Sequence, residues 1–149
     1  MIGAVIVTHG RLAEELVCTL DTIIGSVPQI KAVGTSLSQT SDEIWEKIEK
    51  ALKENDTGEG VLLLTDMFGG TPSNICMSFL GKKNVEVISG VNMPMLIKFA
   101  SCRGQMSLSQ LKDKMVTYGR ENILLASEIL KANKADKSAS QAKSLQEEK

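Results

Sequence analysis

Two short apolar runs constrain this chain more than any other feature. Ile2-Gly3-Ala4-Val5-Ile6-Val7 and Val61-Leu62-Leu63-Leu64 are unbroken, flanked by breakers, and end at Thr8-His9-Gly10 and Thr65-Asp66. A strand with one wet face alternates apolar and polar residues, whereas a strand buried on both faces reads as a continuous apolar run. Both runs therefore predict inner strands of a parallel sheet. Further strands are expected around Ile30 to Gly34 and over Val85-Glu86-Val87-Ile88, the latter ended by Ser89-Gly90.

Helical patterns lie between these strands. Leu12, Leu16, Leu20 and Ile24 recur at i+4 beside Ala13, Val17 and Ile23, and Gly25 then Pro28 stop the stripe. Thr40 with Glu43, and Ser107 with Gln110, have the spacing of capping boxes. Gly119 is the expected stop of the second of these helices. Thr71-Pro72 opens another helix, with Pro at the first helical position and Ile75, Cys76, Phe79 and Leu80 on its apolar face. A helix is also expected from Asn92 through Met95, Leu96 and Phe99. Strands alternating with helices predict an α/β fold, a doubly wound, mostly parallel sheet with helices on both faces. Ile123-Leu124-Leu125-Ala126 fits either a continuing helix or a last strand. The expected domain is 1–131. Residues 132–149 are rich in Lys, Ser, Ala, Gln and Glu, and are expected to be a flexible charged tail.

Composition excludes several functions. Seventeen Lys+Arg against 18 Asp+Glu leave no basic stripe, so no nucleic-acid partner is expected. Aromatics are 3% of the 149 residues, too few for a stacking platform. Cys18, Cys76 and Cys102 form no CxxC pair, so a zinc ribbon is excluded and reduced, mostly buried thiols are expected. No signal peptide and no apolar run of membrane-spanning length is visible, which predicts a cytoplasmic protein. GxxxxGK[ST] and GxGxxG are both missing, and no metal-ligand cluster is visible. No cofactor and no metal are therefore expected.

The chemistry is expected where the two inner strands end. In open α/β sheets ligands bind beyond the carboxyl ends of the strands. His9, the only histidine, ends the first run, and Asp66 follows the second. On neighbouring strands they stand about 4.8 Å apart. Either residue alone has an ordinary reading, as a satisfied histidine or a turn-capping acid; together they make a pair. Asp66 can accept the Nδ1–H of His9 and leave Nε2 as a free nucleophile. Gly69-Gly70-Thr71-Pro72-Ser73-Asn74 then supplies unpaired helix N–H groups and close backbone approach, a site for phosphate. Taken alone it would be an ordinary glycine-rich turn with a Thr cap. Gly69, Gly70, Thr71 and Ser73 are the candidate phosphate-binding residues, and the expected chemistry is phosphorylation of His9 and onward transfer.

Three stretches carry a resemblance: Ala4 to Gly10, Leu64 to Asn74, and Gly90-Val91-Asn92-Met93-Pro94-Met95-Leu96. In this order they resemble the IIA component of the mannose family of the bacterial phosphoenolpyruvate-dependent sugar phosphotransferase system, over Met1 to about Ala126. The resemblance implies that His9 takes a phosphoryl group from the phosphocarrier protein HPr, with Asp66 orienting it. His9 then passes the group to a histidine of a IIB component, which serves membrane IIC and IID subunits. It also implies the strand order 2-1-3-4 and a homodimer that exchanges a C-terminal antiparallel strand, here Arg120 to Ala126. With no room for a IIB domain before Lys149, IIB is expected as a separate chain. A regulatory protein whose His9 phosphorylation is itself the signal is the alternative reading. The phosphocarrier subunit of dihydroxyacetone kinase departs from the Asp-x-Phe-Gly-Gly-Thr-Pro motif. A binding module without phosphotransfer would use the same cradle.

Overall fold

The computed structural model describes residues 1–132. Its centre is a four-stranded parallel sheet of β1 (Gly3–His9), β2 (Ile30–Thr35), β3 (Val61–Thr65) and β4 (Val85–Ser89), in the order β2-β1-β3-β4. That order is the expected one. The register sets Ile6 between Ala32 and Leu64, and Thr65 beside Ser89. As the continuous apolar runs require, β3 is buried throughout and β1 is buried except at His9.

Helices cover both faces. Ala4, Ile6, Leu62, Leu64 and Ile88 pack with α1 (Leu12–Ile24), α4 (Met93–Cys102) and α5 (Leu108–Glu121). Val5, Val7, Val33 and Leu63 pack with α2 (Ser41–Asn55) and α3 (Thr71–Met77). Side chains alternate along each strand, so one run of sequence supplies both cores. The tail expected over 132–149 lies, apart from its first residue, outside the described residues. None of the described helices is long and apolar enough to cross a membrane.

The helix starts follow their capping chemistry. Thr40 and Ser107 form the two expected capping boxes, with Glu43 and Gln110. Asn92 caps α4 through the Met95 N–H, and Gly25 ends α1. Other expectations are corrected. Gly70, not a threonine, is the N-cap of α3, so Pro72 stands second in that helix, and regular α-geometry stops at Met77 before Phe79 and Leu80. The α1 stripe is only partly covered: Ala13 and Leu20 are buried, while Leu12, Ile23 and Ile24 are exposed. Cys18 is exposed too; Cys76 and Cys102 are buried, and burial pushes the Cys76 thiol up to about 12.

Gly119 does not stop α5, which continues to Glu121. A Cβ on Gly119 would sit 2.5 Å from Met95 Cε, so this glycine permits close packing of α5 on α4. The C-terminal strand expected over Arg120 to Ala126 is not formed in the single chain. Arg120 and Glu121 end α5, residues 123–125 have no regular structure, and 126–132 are helical. A strand is held by hydrogen bonds to a neighbour, and β4, at the sheet's edge, pairs only with β3 among the described residues. The aliphatic triplet is left 78%, 63% and 62% exposed at Ile123, Leu124 and Leu125.

Candidate phosphotransfer site

The site forms where the inner strands end. Thr8 Oγ1 accepts the Ala13 N–H at 2.7 Å and its carbonyl accepts the Thr35 hydroxyl at 3.1 Å, fixing the turn from β1 into α1. His9, the last residue of β1, is thereby held at the rim. Beside it β3 ends at Thr65, and Asp66 begins the next loop.

One carboxylate holds the imidazole. Asp66 Oδ2 accepts the backbone N–H of His9 at 3.0 Å and lies 2.8 Å from His9 Nδ1. Oδ1 accepts the Met67 N–H at 3.0 Å. Partial burial pushes the Asp66 carboxyl up, but the hydrogen bonds from the His9 ring, the His9 N–H and the Met67 N–H outweigh it and hold the group below the usual carboxylate range. An ionised carboxylate only accepts, which assigns the proton to Nδ1 of a neutral ring and leaves Nε2 with its lone pair.

Nε2 lies against the start of α3. A Cβ on Gly70 would stand 2.7 Å from His9 Cε1 and 3.1 Å from Nε2, so only a glycine lets the ring lie there undisturbed. Gly69, at φ +85°, turns the chain into that position. Thr71 and Ser73 follow with backbone N–H groups that the helix itself does not use, while Pro72 has none. The Ser73 side chain faces inward: it is buried, and its Oγ has no hydrogen-bond partner among the described residues. Ser73 therefore offers no hydroxyl to the rim.

The structure thus brings together His9, Asp66, Gly69, Gly70, Thr71 and Ser73 at one end of the sheet. Sequence reasoning missed the anchoring of Asp66 by the Met67 N–H, which any residue type would provide and which leaves no trace in sequence. It also missed Thr8 as a cap, although a threonine between a strand and a helix start is a readable signal.

The sequence pattern of the family described as PTS system fructose IIA component matches residues 3–116 of this chain. The chain belongs to the PTS IIA family of mannose and fructose type. Its relatives include the PTS system mannose-specific EIIAB component of Escherichia coli (strain K12), 34% identical over 140 residues. That match covers 93% of this chain and 42% of the relative, so the chain spans less than half of that protein. The PTS system fructose-specific EIIA component of Bacillus subtilis (strain 168) is 30% identical over 131 residues, 87% of this chain and 90% of the relative. The crystal structure of phosphotransferase system component EIIA from Streptococcus agalactiae superposes with a TM-score of 0.79 at 25% identity, covering 86% of this PTS IIA chain and 99% of that one.

Proposed function

We propose that this PTS IIA protein is a cytoplasmic phosphocarrier that accepts a phosphoryl group on His9 Nε2 from phospho-HPr and passes it to a histidine of a IIB component. The observation that carries the reading is the single Asp66 oxygen shared by the His9 N–H and Nδ1, which leaves Nε2 turned toward Gly70. The Nε2 lone pair attacks phosphorus. As the Nε2–P bond forms, the donor's N–P bond breaks and its ring nitrogen leaves with the electron pair. His9 loses no proton; Nδ1–H stays on Asp66, and the positive charge that develops on the ring faces the carboxylate. The N–H groups of Thr71 and Ser73, with the positive end of the α3 dipole, offset charge on the phosphoryl oxygens. Transfer to IIB is the same exchange with His9 as the leaving group, and that step serves sugar uptake through the IIC and IID subunits.

Incubation with phosphoenolpyruvate, enzyme I and HPr tests this by intact mass. One added phosphoryl group, acid-labile and base-stable, is expected on the wild type and none on His9→Ala. A phosphorylated His9→Ala protein overturns the assignment.

The reading extends to a homodimer in which the segment after α5 is exchanged between subunits. The exposed Ile123-Leu124-Leu125 triplet supports it, since a bare aliphatic segment invites a partner. Truncation after Gly119 is expected to give an aggregation-prone protein. Sedimentation of the full chain as a monomer at micromolar concentration counts against the exchange.

A further inference from the structure

One row of side chains crosses the sheet near its carboxyl end, on the face that α2 and α3 cover. The register places Val33, Val7, Thr65 and Ser89 side by side, from β2 through β1 and β3 to β4. Val33 and Val7 belong to the apolar cluster of that face. So does Leu63, two residues before Thr65, and Val87, two before Ser89, packs against it. A strand returns to the same face every second residue. The row is therefore apolar at β2 and β1 and turns to hydroxyl at β3 and β4.

A third hydroxyl faces these two from α3. Cys76 packs in the same cluster, and Ser73 stands three residues before it, on the same side of the helix. The step from Cys76 back to Ser73 runs about 4.5 Å toward the carboxyl end of the sheet. The step from Leu63 to Thr65 runs about 6.6 Å the same way. Thr65 is 0% and Ser73 1% exposed, and the Ser89 oxygen is buried with them. Yet Thr65 Oγ1, Ser73 Oγ and Ser89 Oγ have no hydrogen-bond partner among the described residues, so none of the three bonds another.

An unpaired buried hydroxyl is destabilising, because it gives up its bonds to solvent on folding. The backbone here does not let the strands slide to close the gap: the Thr65 carbonyl accepts the N–H groups of both Gly90 and Val91 at 2.9 Å, which ties β3 to the end of β4. A water molecule needs two to four polar partners in a polar site, and each hydroxyl can donate or accept. With two bonds of about 2.8 Å it bridges oxygens about 5 Å apart.

We propose that Thr65, Ser73 and Ser89 hold a buried water beneath the first turn of α3, and that this water makes them positioning residues of the phosphotransfer site. Thr65 directly precedes Asp66, which orients His9. Ser73 lies in the turn whose N–H groups stand beside Nε2. The water thus ties the strand end that carries the orienting acid to the helix turn that receives the phosphoryl oxygens, and Ser89 anchors both to β4. The water site stands on burial and hydrogen bonding alone; its positioning role rests on the phosphocarrier reading.

A high-resolution crystal structure of the full chain tests the first part. One ordered water within about 3.2 Å of the three oxygens is expected. Hydroxyls bonded to each other or to main-chain carbonyls, with no water between them, overturn the proposal. Kinetics test the second part. Thr65→Val keeps the shape and removes a bond to the water. It is expected to lower kcat for transfer from phospho-HPr about tenfold with KM retained, less than the about 10²-fold cost of a 1 Å misplacement. Transfer from phosphoramidate, a small donor, should fall by the same factor, and Thr65→Ser should restore both. Ser73→Ala, which suits a helix, gives the same reading should Thr65→Val fail to fold. A lowered melting temperature with wild-type kcat in the folded variants, or a rate that Thr65→Ser does not restore, overturns the positioning role. A wild-type protein modified by neither donor overturns the phosphocarrier reading and the positioning role with it, while the crystallographic result decides the water site separately.

Discussion

Asp66 holds His9 twice through one oxygen: Oδ2 accepts the backbone N–H at 3.0 Å and lies 2.8 Å from Nδ1. The two contacts fix the tautomer and the ring direction together, because the backbone of His9 cannot shift without moving its side chain's partner. A lone hydrogen bond to Nδ1 would leave the ring free to swing about its χ1 axis.

Asp66→Asn should therefore keep the fold and slow transfer. An amide can turn its NH₂ toward Nδ1, which favours the tautomer with the proton on Nε2, the wrong nitrogen. The orienting acid of a serine-protease triad is worth about 10⁴ in rate. The loss here should be smaller, about 10²-fold, since no proton leaves a separate nucleophile. Rapid-quench transfer from phospho-HPr measures it, and a wild-type rate removes Asp66 from the mechanism.

The same carboxylate should mark the acid limb of stability. Its folded pKa lies below the ordinary value of about 3.9, so its ionised form contributes stability above that value, lost as pH falls through the folded pKa. Denaturant unfolding of wild type and Asp66→Asn, followed from pH 7 to pH 2, should show a wild-type advantage that shrinks below about pH 4. A difference that stays constant across that window contradicts the assignment.

Gly70→Ala isolates the contact between the ring and α3. The backbone at Gly70, with φ −81°, accepts alanine, so the new Cβ acts only on His9, 2.7 Å from Cε1. The ring must turn away. Displacing a reacting group by about 1 Å costs about 10²-fold, and a loss of that order in transfer with an unchanged melting temperature is expected. Undiminished transfer would show that Nε2 does not work from this position.

Gly119→Ala tests a packing reading. Alanine gains up to about 1 kcal/mol of helix propensity over glycine. Its Cβ, however, meets the buried Met95 Cε at 2.5 Å, and overpacking costs about 1–3 kcal/mol. Net destabilisation is expected in the wild type and stabilisation in a Met95→Ala background. Denaturant unfolding of the double-mutant cycle reads the sign of both.

The inner strands were legible because burial on both faces leaves no polar residue inside Val61 to Leu64. Thr40–Glu43, Ser107–Gln110 and Asn92 were legible because capping is local chemistry. The pairing of His9 with Asp66 followed once their strands were placed side by side. What stayed hidden depends on contacts distant in sequence. Gly119 looks like a stop until Met95 is seen against it. Leu12, Ile23 and Ile24 sit on the α1 stripe, yet the sheet covers only its middle. Ile123 to Leu125 has the composition of a strand, but it pairs with no strand among the described residues.

The central claim is that Nε2 of His9 is the atom that carries the phosphoryl group. Heteronuclear ¹H–¹⁵N NMR of the ring nitrogens, recorded before and after phosphorylation by enzyme I, HPr and phosphoenolpyruvate, locates it directly. The predicted result is a phosphorus-coupled Nε2 with Nδ1 still protonated and bonded to Asp66. Phosphorus on Nδ1, or an unmodified His9 in a phosphorylated protein, would contradict the account.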